Sequence, residues 1–299
     1  MKSDESLFSL PWAVETARLA DYVALAKPRL VFLVLFTAAA GYLMAAPVAV
    51  PLVGLVHLLV GTALVAGGGS ALNQYLERDR DARMERTADR PLPAMRLAPT
   101  EALIFGVGVT AAGLVHLALF TNALTLLLGI ATSAIYVLAY TPLKRTTPWC
   151  LAVGAVVGAL PPVMGCVAVS GHLGIGAALM FALLYLWQLP HFLAIACLYR
   201  QDYANAQFAI TRLTDETGRR TRRHIPMLCL ILVLVALIPT FVGVTGRGYA
   251  IAAVALGLGF LAISVWDAGH DLVAYARRVF VASLIYLPAL LVAMVLGRV

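Results

Sequence analysis

The stretch LVGLVHLLVGTALVAGGGSAL (residues 52–72) runs without a break into NQYLERDRDARMERTADRPLP (residues 73–93). A bilayer core about 30 Å thick is crossed by roughly 20 apolar residues in an α-helix, so the first part predicts a membrane-spanning helix. The second part is a dense block of charges, and one charged side chain at the bilayer centre costs roughly 2.5–3.5 kcal/mol on insertion scales. Because the block begins while the apolar run continues, Asn73 and Glu77 are expected near the membrane surface, within reach of a cavity.

The whole chain has the composition of a membrane protein. It has 299 residues, of which 62% are apolar and 12% charged, and its mean hydropathy of +0.90 lies outside the range of soluble globular domains. Nine apolar runs are long enough to span a bilayer. They cover residues 30–46, 52–72, 102–120, 122–139, 149–169, 175–198, 225–244, 249–266 and 280–296. The sequence therefore predicts an all-α polytopic membrane protein with nine transmembrane helices.

The positions of the lysines and arginines predict which helix ends face the cytoplasm. All of the 22 Lys and Arg except Arg247 and Arg298 fall in the N-terminal tail or in the connections after spans two, four, six and eight. Cytoplasmic loops are enriched in Lys and Arg, so this asymmetry predicts a cytoplasmic N-terminus and an external C-terminus. The connections after spans two and six are also long, whereas the outer ones are short and nearly chargeless. Chemistry is therefore expected on the cytoplasmic side.

A single domain accounts for most of the chain. Residues 30–299 form the predicted transmembrane domain, and residues 1–29 form a cytoplasmic or interfacial segment, in which WAVETARLADYVALAK (residues 12–27) alternates apolar and charged residues with a helical period. The net charge of +7 reflects topology and contact with lipid headgroups. Nucleic acid is not an expected partner, because the basic residues flank spans and no soluble recognition module is visible. The four cysteines lack the paired spacing of a zinc or redox motif and are interpreted as small core residues.

Three oxygen-bearing side chains in the charged block are spaced to share one face of a helix. Asn73, Glu77 and Asp81 stand at i, i+4 and i+8, a drift of only about 80° if the second span continues as a helix. Carboxylate and amide oxygens are what Mg²⁺ takes, and Mg²⁺ completes its shell with water and substrate phosphates. Asp79 falls off this face on an ideal helix, but a helix end that opens into a loop would bring it back. The block therefore predicts a Mg²⁺ site.

Cationic side chains surround these acids. Arg78, Arg86 and Arg90 lie in the same block, and Lys144 and Arg145 follow the fourth span on the same predicted side. Guanidinium groups take phosphate oxygens bidentately, so acids for a metal beside cations for phosphate predict a diphosphate site. The alternative is a solvated, ion-paired loop. The start of the block inside an apolar span favours the diphosphate site.

A second charged cluster follows the sixth span, and this looser repetition of the first block is typical of proteins whose site lies between two halves. Asp202 lies eleven residues after His191, so the two side chains and Trp187 share one face if the helix persists. Such a line predicts a lined cavity. An intramembrane histidine is a functional candidate. A purely structural histidine, neutral and hydrogen-bonded between helices, has no greater free-energy cost in the membrane. Both interpretations of His191 stay open.

Several motifs, in this order and spacing, resemble one family of membrane enzymes. They are LAKPRLVFLVLFT (25–37), N-x-x-x-E-x-D-x-D (73–81) followed by MERTADRPLP (84–93), YTPLKRTTP (140–148), GALPPVMG (158–165), WQLPHFLAIACLYRQDY (187–203) and ARRVFVASLIYLPALL (276–291). From about Asp21 to its end, the chain resembles the protohaem IX farnesyltransferases, or haem O synthases, of the intramembrane aromatic prenyltransferase superfamily.

The resemblance implies a bundle of nine transmembrane helices around a central cavity, with two acid-bearing motifs at its cytoplasmic mouth. Asn73, Glu77 and Asp81 match the first motif. Asp79 is the extra acid usual in the haem branch, and Asp202 matches the acid of the second motif. The implied reaction is Mg²⁺-dependent. It joins the farnesyl group of farnesyl diphosphate to a vinyl group of haem B, and water supplies the new hydroxyl of haem O.

The same resemblance implies where such an enzyme works and what surrounds it. Trp187, His191 and Tyr203 would line the haem-binding part of the cavity. The membrane would be a bacterial inner membrane, with lipid around the bundle and the active site facing the cytoplasm. Haem O would serve a haem-copper terminal oxidase, directly or after conversion to haem A. Haem A synthase and an oxidase assembly are therefore candidate partners.

One departure from the family affects the second motif. After Asp202 the family commonly has an A-G-I-P-M-type stretch, whereas this chain has AQFAI at 206–210, without the Gly and the Pro. The metal geometry there is expected to differ, with Asp215 or Glu216 as an alternative acid.

Three other functions fit parts of the pattern. The nearest is a prenyltransferase of the same superfamily that acts on a quinone precursor such as 4-hydroxybenzoate; the PHF around His191 and the ERTADRPLP of the first motif favour the haem branch by resemblance. A secondary transporter would bury ionisable groups near the midplane of several spans, but here the carboxylates gather at the inner rim. A structural assembly factor would not need aligned oxygen donors.

Overall fold

The computed structural model describes residues 11–214, 217–266 and 271–299, except for the side chains of residues 11–17. Its elements are, in chain order, α1 (Pro11–Ala26), α2 (Pro28–Ala45), α3 (Leu52–Asp81), α4 (Pro99–Phe120), α5 (Ala123–Ala134), a π-helix (Ile135–Tyr140), α6 (Thr141–Thr146), α7 (Cys150–Ser170), α8 (Ile175–Leu198), α9 (Arg200–Asn205), a 3-10 helix (Ala209–Leu213), α10 (Arg219–Phe241), α11 (Arg247–Val265) and α12 (Leu272–Leu296).

Nine helical segments among the described residues are long and apolar enough to cross a membrane. They are α2, α3, α4, α7, α8, α10, α11, α12 and the continuous segment Ala123–Thr146, which α5, the π-helix and α6 form together. The all-α fold class and the number of spans predicted from the sequence are confirmed. The span predicted at 175–198 matches α8 residue for residue.

Three helices run on beyond their apolar runs. α3 ends at Asp81 rather than at residue 72, α10 begins at Arg219 rather than 225, and α12 begins at Leu272 rather than 280. Charge ends an apolar run but not a helix, because Gln, Glu and Arg are good helix formers and residues 73–81 contain no Gly or Pro. The 30 residues of α3 rise about 45 Å, more than the bilayer core of about 30 Å, so its last turns project beyond the apolar layer.

The backbones of α2 and α7 touch at two glycines. A Cβ atom built on Gly41 would collide with the carbonyl of Pro162, and one built on Gly165 would collide with the carbonyl of Ala38. Cys166 adds a contact, because its thiol donates to the carbonyl of Gly41 at 3.2 Å. A side chain at either glycine would push the two helices apart, so their close approach depends on these residues.

The end of the chain closes the bundle. Arg298 donates a hydrogen bond to the carbonyl of Leu43 at the end of α2, and the amide of Gly246, which precedes α11, donates to the carbonyl of Gly297 at 2.7 Å. The residues after α12 therefore hold the last span against the first, and the cavity lies between these two spans and the helices in the middle of the chain.

The helix predicted within residues 12–27 is α1. Two ion pairs connect it to α4 and the loop before it: Arg18 lies 2.5 Å from Glu101, and Asp21 lies 2.8 Å from Arg96. Between α1 and α2, Lys27 has a left-handed backbone with φ of 52°. This conformation, uncommon for a residue other than glycine, turns the chain from α1 into the first span.

The fourth span contains one π-helical turn, Ile135–Tyr140. It closes where the amide of Thr141 donates to the carbonyl of Tyr136, five residues back. The next residue, Pro142, has no N–H for the carbonyl of Leu138, and its ring would crowd that carbonyl in a regular α-helix. The wide turn accommodates the proline, and such turns are frequent at functional sites.

Candidate active site

A cavity of about 430 Å³ lies inside the bundle, with walls from six of the membrane-spanning segments. Its polar end is lined by Lys27, Asn73, Glu77, Asp81, Arg86, Arg90, Tyr140, Lys144 and Tyr203. Most of the remaining wall is apolar or aromatic, with Phe36, Val65, Met164, Trp187 and Leu287 among its side chains. The described residues thus form a hydrocarbon-compatible chamber with a charged mouth.

The structure brings Asn73, Glu77 and Asp81 to one wall of this chamber, as their spacing predicts for an unbroken helix. All three are buried, with exposed fractions of 1%, 3% and 1%. Two buried carboxylates this close to a membrane require compensation, because an unpaired charge in a low-dielectric interior is strongly disfavoured.

Cationic side chains supply that compensation. Lys144 Nζ lies 2.9 Å from Glu77 Oε1 and donates its hydrogen bond to Oε2 at 3.1 Å. Arg90 Nη1 donates to Asp81 Oδ2 at 2.6 Å. The acids and cations predicted from the sequence therefore pair across the cavity mouth, Glu77 with the end of the fourth span and Asp81 with the loop after α3.

Each carboxylate keeps one oxygen without a hydrogen-bond donor. Within the described ranges, neither Glu77 Oε1 nor Asp81 Oδ1 accepts a hydrogen bond, although Lys144 is a charge partner for the first. Buried polar atoms of this kind need an explanation. No group of three or more His, Cys, Asp or Glu side chains is assembled among those residues. A metal would take these two oxygens, neither of which accepts a hydrogen bond within the described part of the chain, with the Asn73 amide oxygen, a donor set that fits Mg²⁺ sharing its shell with water and phosphate.

Lys27 is a cavity residue that the site prediction missed. Its ammonium donates to Asn73 Oδ1 at 3.2 Å, while Asn73 Nδ2 donates to Thr141 Oγ1 at 3.1 Å. Part of the side chain faces the open cavity, but the surrounding protein removes it from bulk water. This desolvation, reinforced by Arg90 and Lys144, lowers the pKa of Lys27 to about 7. A signal was available in the sequence, since K-P-R directly precedes the first span.

Of the site residues predicted in the first block and at the end of the fourth span, three lie outside the cavity wall. Asp79 is exposed, with 82% of its side-chain surface accessible, because α3 stays helical to Asp81 and so keeps Asp79 off the shared face. Arg78 donates to the carbonyl of Tyr75 at 2.8 Å, and Arg145 donates to the carbonyl of Leu76 at 2.6 Å. The helix end does not open in the way that would have turned Asp79 inward.

The second motif is built differently from the expectation. α8 ends at Leu198, and Tyr199 leaves helical geometry with φ of −111° and ψ of 30°, so the helix does not persist to Asp202. The Asp202 carboxylate accepts from the Glu85 amide at 3.1 Å, and its other oxygen lies 3.8 Å from Arg86 Nε. Asp202 therefore contacts the loop that carries Arg86 and does not line the cavity.

Tyr203 and Arg86 form the part of the second motif that reaches the cavity. The Arg86 guanidinium donates to the Tyr203 hydroxyl at 3.2 Å and lies 4.6 Å from the ring centre of Tyr199. In the altered stretch, Gln207 has a left-handed φ of 55°, and its carbonyl accepts from Arg80 at 3.0 Å. The alternative acids of this motif, residues 215 and 216, lie outside the described residues.

His191 and Trp187 line the deeper part of the cavity. Their rings stack, with centroids 4.8 Å apart. His191 Nδ1 lies 2.7 Å from Ser283 Oγ on α12, and the Trp187 indole donates to the carbonyl of Ser283 at 2.9 Å. The predicted line of Trp and His is present, but without Asp202 at its inner end.

Comparison with known proteins assigns the class. The chain belongs to the UbiA prenyltransferase family, whose model matches residues 34–296. Similar proteins named protoheme IX farnesyltransferase come from Solibacter usitatus, 42% identical over 93% of this chain and 98% of that protein, and from Koribacter versatilis, 39% identical over 100% and 99%. One from Anaeromyxobacter dehalogenans is 43% identical over 94% and 95%. The resemblance seen in the sequence motifs is confirmed.

Solved structures agree on the fold. A structure of digeranylgeranylglyceryl phosphate synthase matches with a TM-score of 0.77 at 17% identity, covering 94% of this chain and 98% of that one. A UbiA homologue from Archaeoglobus fulgidus bound to GPP and Mg²⁺ matches with a TM-score of 0.65 at 15% identity, covering 92% and 99%. These structures therefore share the overall fold of this chain.

Proposed function

We propose that this protein transfers the farnesyl group of farnesyl diphosphate to a vinyl group of haem B, with addition of water, and so makes haem O. The names of relatives about 40% identical over most of the chain support the substrates. The observation that carries the proposal is the pair of buried carboxylates, each with one oxygen lacking a hydrogen bond, at the cationic mouth of an apolar cavity. One cavity thus offers a charged end that can bind a polyanion and an apolar wall that can bind a hydrocarbon chain.

In this proposal the mouth binds the diphosphate and the chamber binds the farnesyl chain. Lys27, Arg86, Arg90 and Lys144 are the cations that line the cavity, and they stabilise charge that develops on the departing diphosphate. Mg²⁺ bound by Asn73, Glu77 and Asp81, when present, would neutralise further diphosphate charge. Arg78, Arg145 and Asp79 have no role at the cavity, and Asp202 acts by positioning Arg86.

The bond changes balance with one water. The C1–O bond of farnesyl diphosphate breaks, and diphosphate leaves with the electron pair. C1 bonds to the terminal carbon of the vinyl group. Water then adds its oxygen to the inner vinyl carbon and releases a proton. The apolar wall keeps other water from the allylic cation before the vinyl group reaches it.

The remaining predictions concern location and context. We propose that residues 30–299 act as one domain in a bacterial inner membrane, with the N-terminus and the cavity mouth on the cytoplasmic side. The distribution of Lys and Arg supports this orientation. Haem A synthase or a haem-copper oxidase assembly remains the proposed recipient of the product.

A product assay tests the function. Purified protein in lipid nanodiscs is given haem B, farnesyl diphosphate and Mg²⁺, and haem O is sought by mass spectrometry. We expect haem O, its loss with EDTA, and its return when excess Mg²⁺ is added. Folded protein that makes no haem O but prenylates 4-hydroxybenzoate would refute the proposed acceptor.

A further inference from the structure

His191 is held in one orientation by its neighbours. Its side chain is buried, with 8% of its surface exposed, and it lines the cavity. Two aromatic rings pack against the imidazole: its centroid is 4.8 Å from that of Trp187 at 22° and 5.1 Å from that of Phe280 at 28°. Two nearly parallel neighbours, together with the hydrogen bond at Nδ1, restrict the plane of the ring, so its two nitrogens have defined directions.

Hydrogen bonding defines the tautomer of this ring. The Ser283 hydroxyl donates its single hydrogen to the carbonyl of Phe280 at 2.6 Å. It therefore accepts at its oxygen, and the donor is His191 Nδ1, 2.7 Å away. With the hydrogen on Nδ1, the neutral ring has its lone pair on Nε2. That nitrogen has no hydrogen-bond partner among the residues that the structure describes.

Ser283 is itself fixed. The Trp187 indole donates to its backbone carbonyl at 2.9 Å, so the two rings and the serine form one connected unit between α8 and α12. An imidazole whose Nδ1–H is held by an oxygen, with Nε2 free, is the usual arrangement of a metal-binding histidine. Imidazole nitrogen suits iron, whereas Mg²⁺ takes oxygen ligands. A haem iron bound to a single protein histidine is a common arrangement.

We infer that Nε2 of His191 is the axial ligand of the iron in the haem substrate. The inference rests on the proposed function, which brings haem into this cavity. His191 is seven residues from the end of α8, about 10 Å along the helix. Ligation at the centre of the macrocycle would hold its vinyl-bearing edge at a fixed distance from α8. The histidine would thus be a positioning residue for the vinyl group.

The test is haem binding without farnesyl diphosphate. Ferric haem B is titrated into the purified full-length protein, and absorption and electron paramagnetic resonance spectra are recorded. Metal-free protoporphyrin IX, which has the same shape but no iron, is titrated in parallel by fluorescence quenching. We expect His191→Gly to weaken haem B binding by at least about 10- to 100-fold, because changing a group that only supports a metal ligand already costs this much. It should leave protoporphyrin IX binding unchanged, and added imidazole should restore the histidine-type spectrum.

Two further variants keep the outcome interpretable. His191→Met fills the site with an apolar side chain that offers sulfur, so its haem spectrum should differ from wild type even if the glycine variant fails to fold. His57→Gln is the matched histidine control. Nδ1 of His57 lies 3.3 Å from His116 Nε2, and neither ring lines the cavity, so its spectrum should match wild type.

The possible failures separate the two proposals. An unchanged haem spectrum in both His191 variants overturns the ligation and leaves the transferase proposal intact. Equal loss of haem B and protoporphyrin IX means that His191 only packs, which also overturns the ligation. Wild-type protein that binds neither porphyrin overturns the proposed haem substrate, and the ligation with it.

Discussion

The two charged blocks of this protein follow similar apolar spans but bury their acids to different degrees. After the second span, α3 stays helical to its last acid, and Asp81 is 1% exposed on the cavity wall. After the sixth span, α8 ends before Asp202 is reached, and that side chain keeps 14% of its surface accessible. Asp81 faces the cavity, whereas Asp202 accepts a hydrogen bond from the backbone amide of Glu85, in the loop after α3.

In this protein, helix continuation rather than charge content determines which acid reaches the cavity. Asp81 has one oxygen held by Arg90 and one without a donor, so it can accept a metal. The Asp202 oxygens are directed to Glu85 and Arg86. Asp81 in the first block is therefore expected to act on the substrate. Asp202 in the second block is expected to hold Arg86, a cation of the first block, in position.

The largest expected effect is at Asp81. Asp81→Asn keeps the shape of the side chain but removes the charge at the wall, so we expect kcat for haem O formation to fall by about 10²–10³-fold. Single-turnover assays in nanodiscs measure this. The variant should elute as wild type in size-exclusion chromatography. A loss below about tenfold would contradict a direct role for this carboxylate.

A smaller effect is expected at Asp202. Asp202→Asn should lower kcat/KM by about tenfold, because Arg86 is displaced rather than removed. If Asp202 acts through Arg86, the double variant Asp202→Asn/Arg86→Gln should be no worse than Arg86→Gln alone. Additive losses in this double-mutant cycle would instead indicate a separate role for the second acid.

The contact between the two blocks should matter for stability more than for rate. Arg80 donates to the carbonyls of Ala206 at 2.6 Å and Gln207 at 3.0 Å. Arg80→Gln should lower the free energy of unfolding by about 1 kcal/mol, measured as a lower thermal midpoint in nanodiscs. Unchanged stability would mean that the second loop does not depend on this contact.

The smallest effect is expected at Asp79, the acid between Glu77 and Asp81. Asp79→Asn changes the same charge as Asp81→Asn, two residues away, on an exposed face of α3. Haem O formation should stay at the wild-type level, because surface substitutions are typically within about 0.5 kcal/mol. A large loss here would contradict the helical placement of the whole first block.

The first block was predictable because its helix follows ordinary rules. The i, i+4, i+8 spacing of Asn73, Glu77 and Asp81 placed them together, and no Gly or Pro interrupts that stretch. The break at Tyr199 was not predictable, since the residues around it also contain neither. Lys27 was missed because its K-P-R motif marks only the start of the first span, whereas the direction of its side chain depends on a left-handed backbone at the α1–α2 turn.

The sequence could not show which of the two cations at the end of the fourth span faces the cavity. Lys144 and Arg145 are adjacent, so about 100° separates their directions on a helix. The π-helical turn before them shifts the phase of everything that follows, and no hydropathy pattern indicated it. The structure directs Lys144 to Glu77 and Arg145 to the backbone of α3.

That wide turn has a consequence for how this span tolerates insertions and deletions. A π-turn holds one more residue than an α-helical turn, so losing one residue between 135 and 140 would restore regular geometry and leave the helical faces on either side of it in nearly the same rotation. The span would still cross the bilayer, and the Lys144 end would still face the cavity. Losing one residue from the regular part of this span, between 123 and 134, would instead rotate the residues before the deletion by about 100° relative to the Lys144 end, so the upper half of the span would present a different face to the bundle.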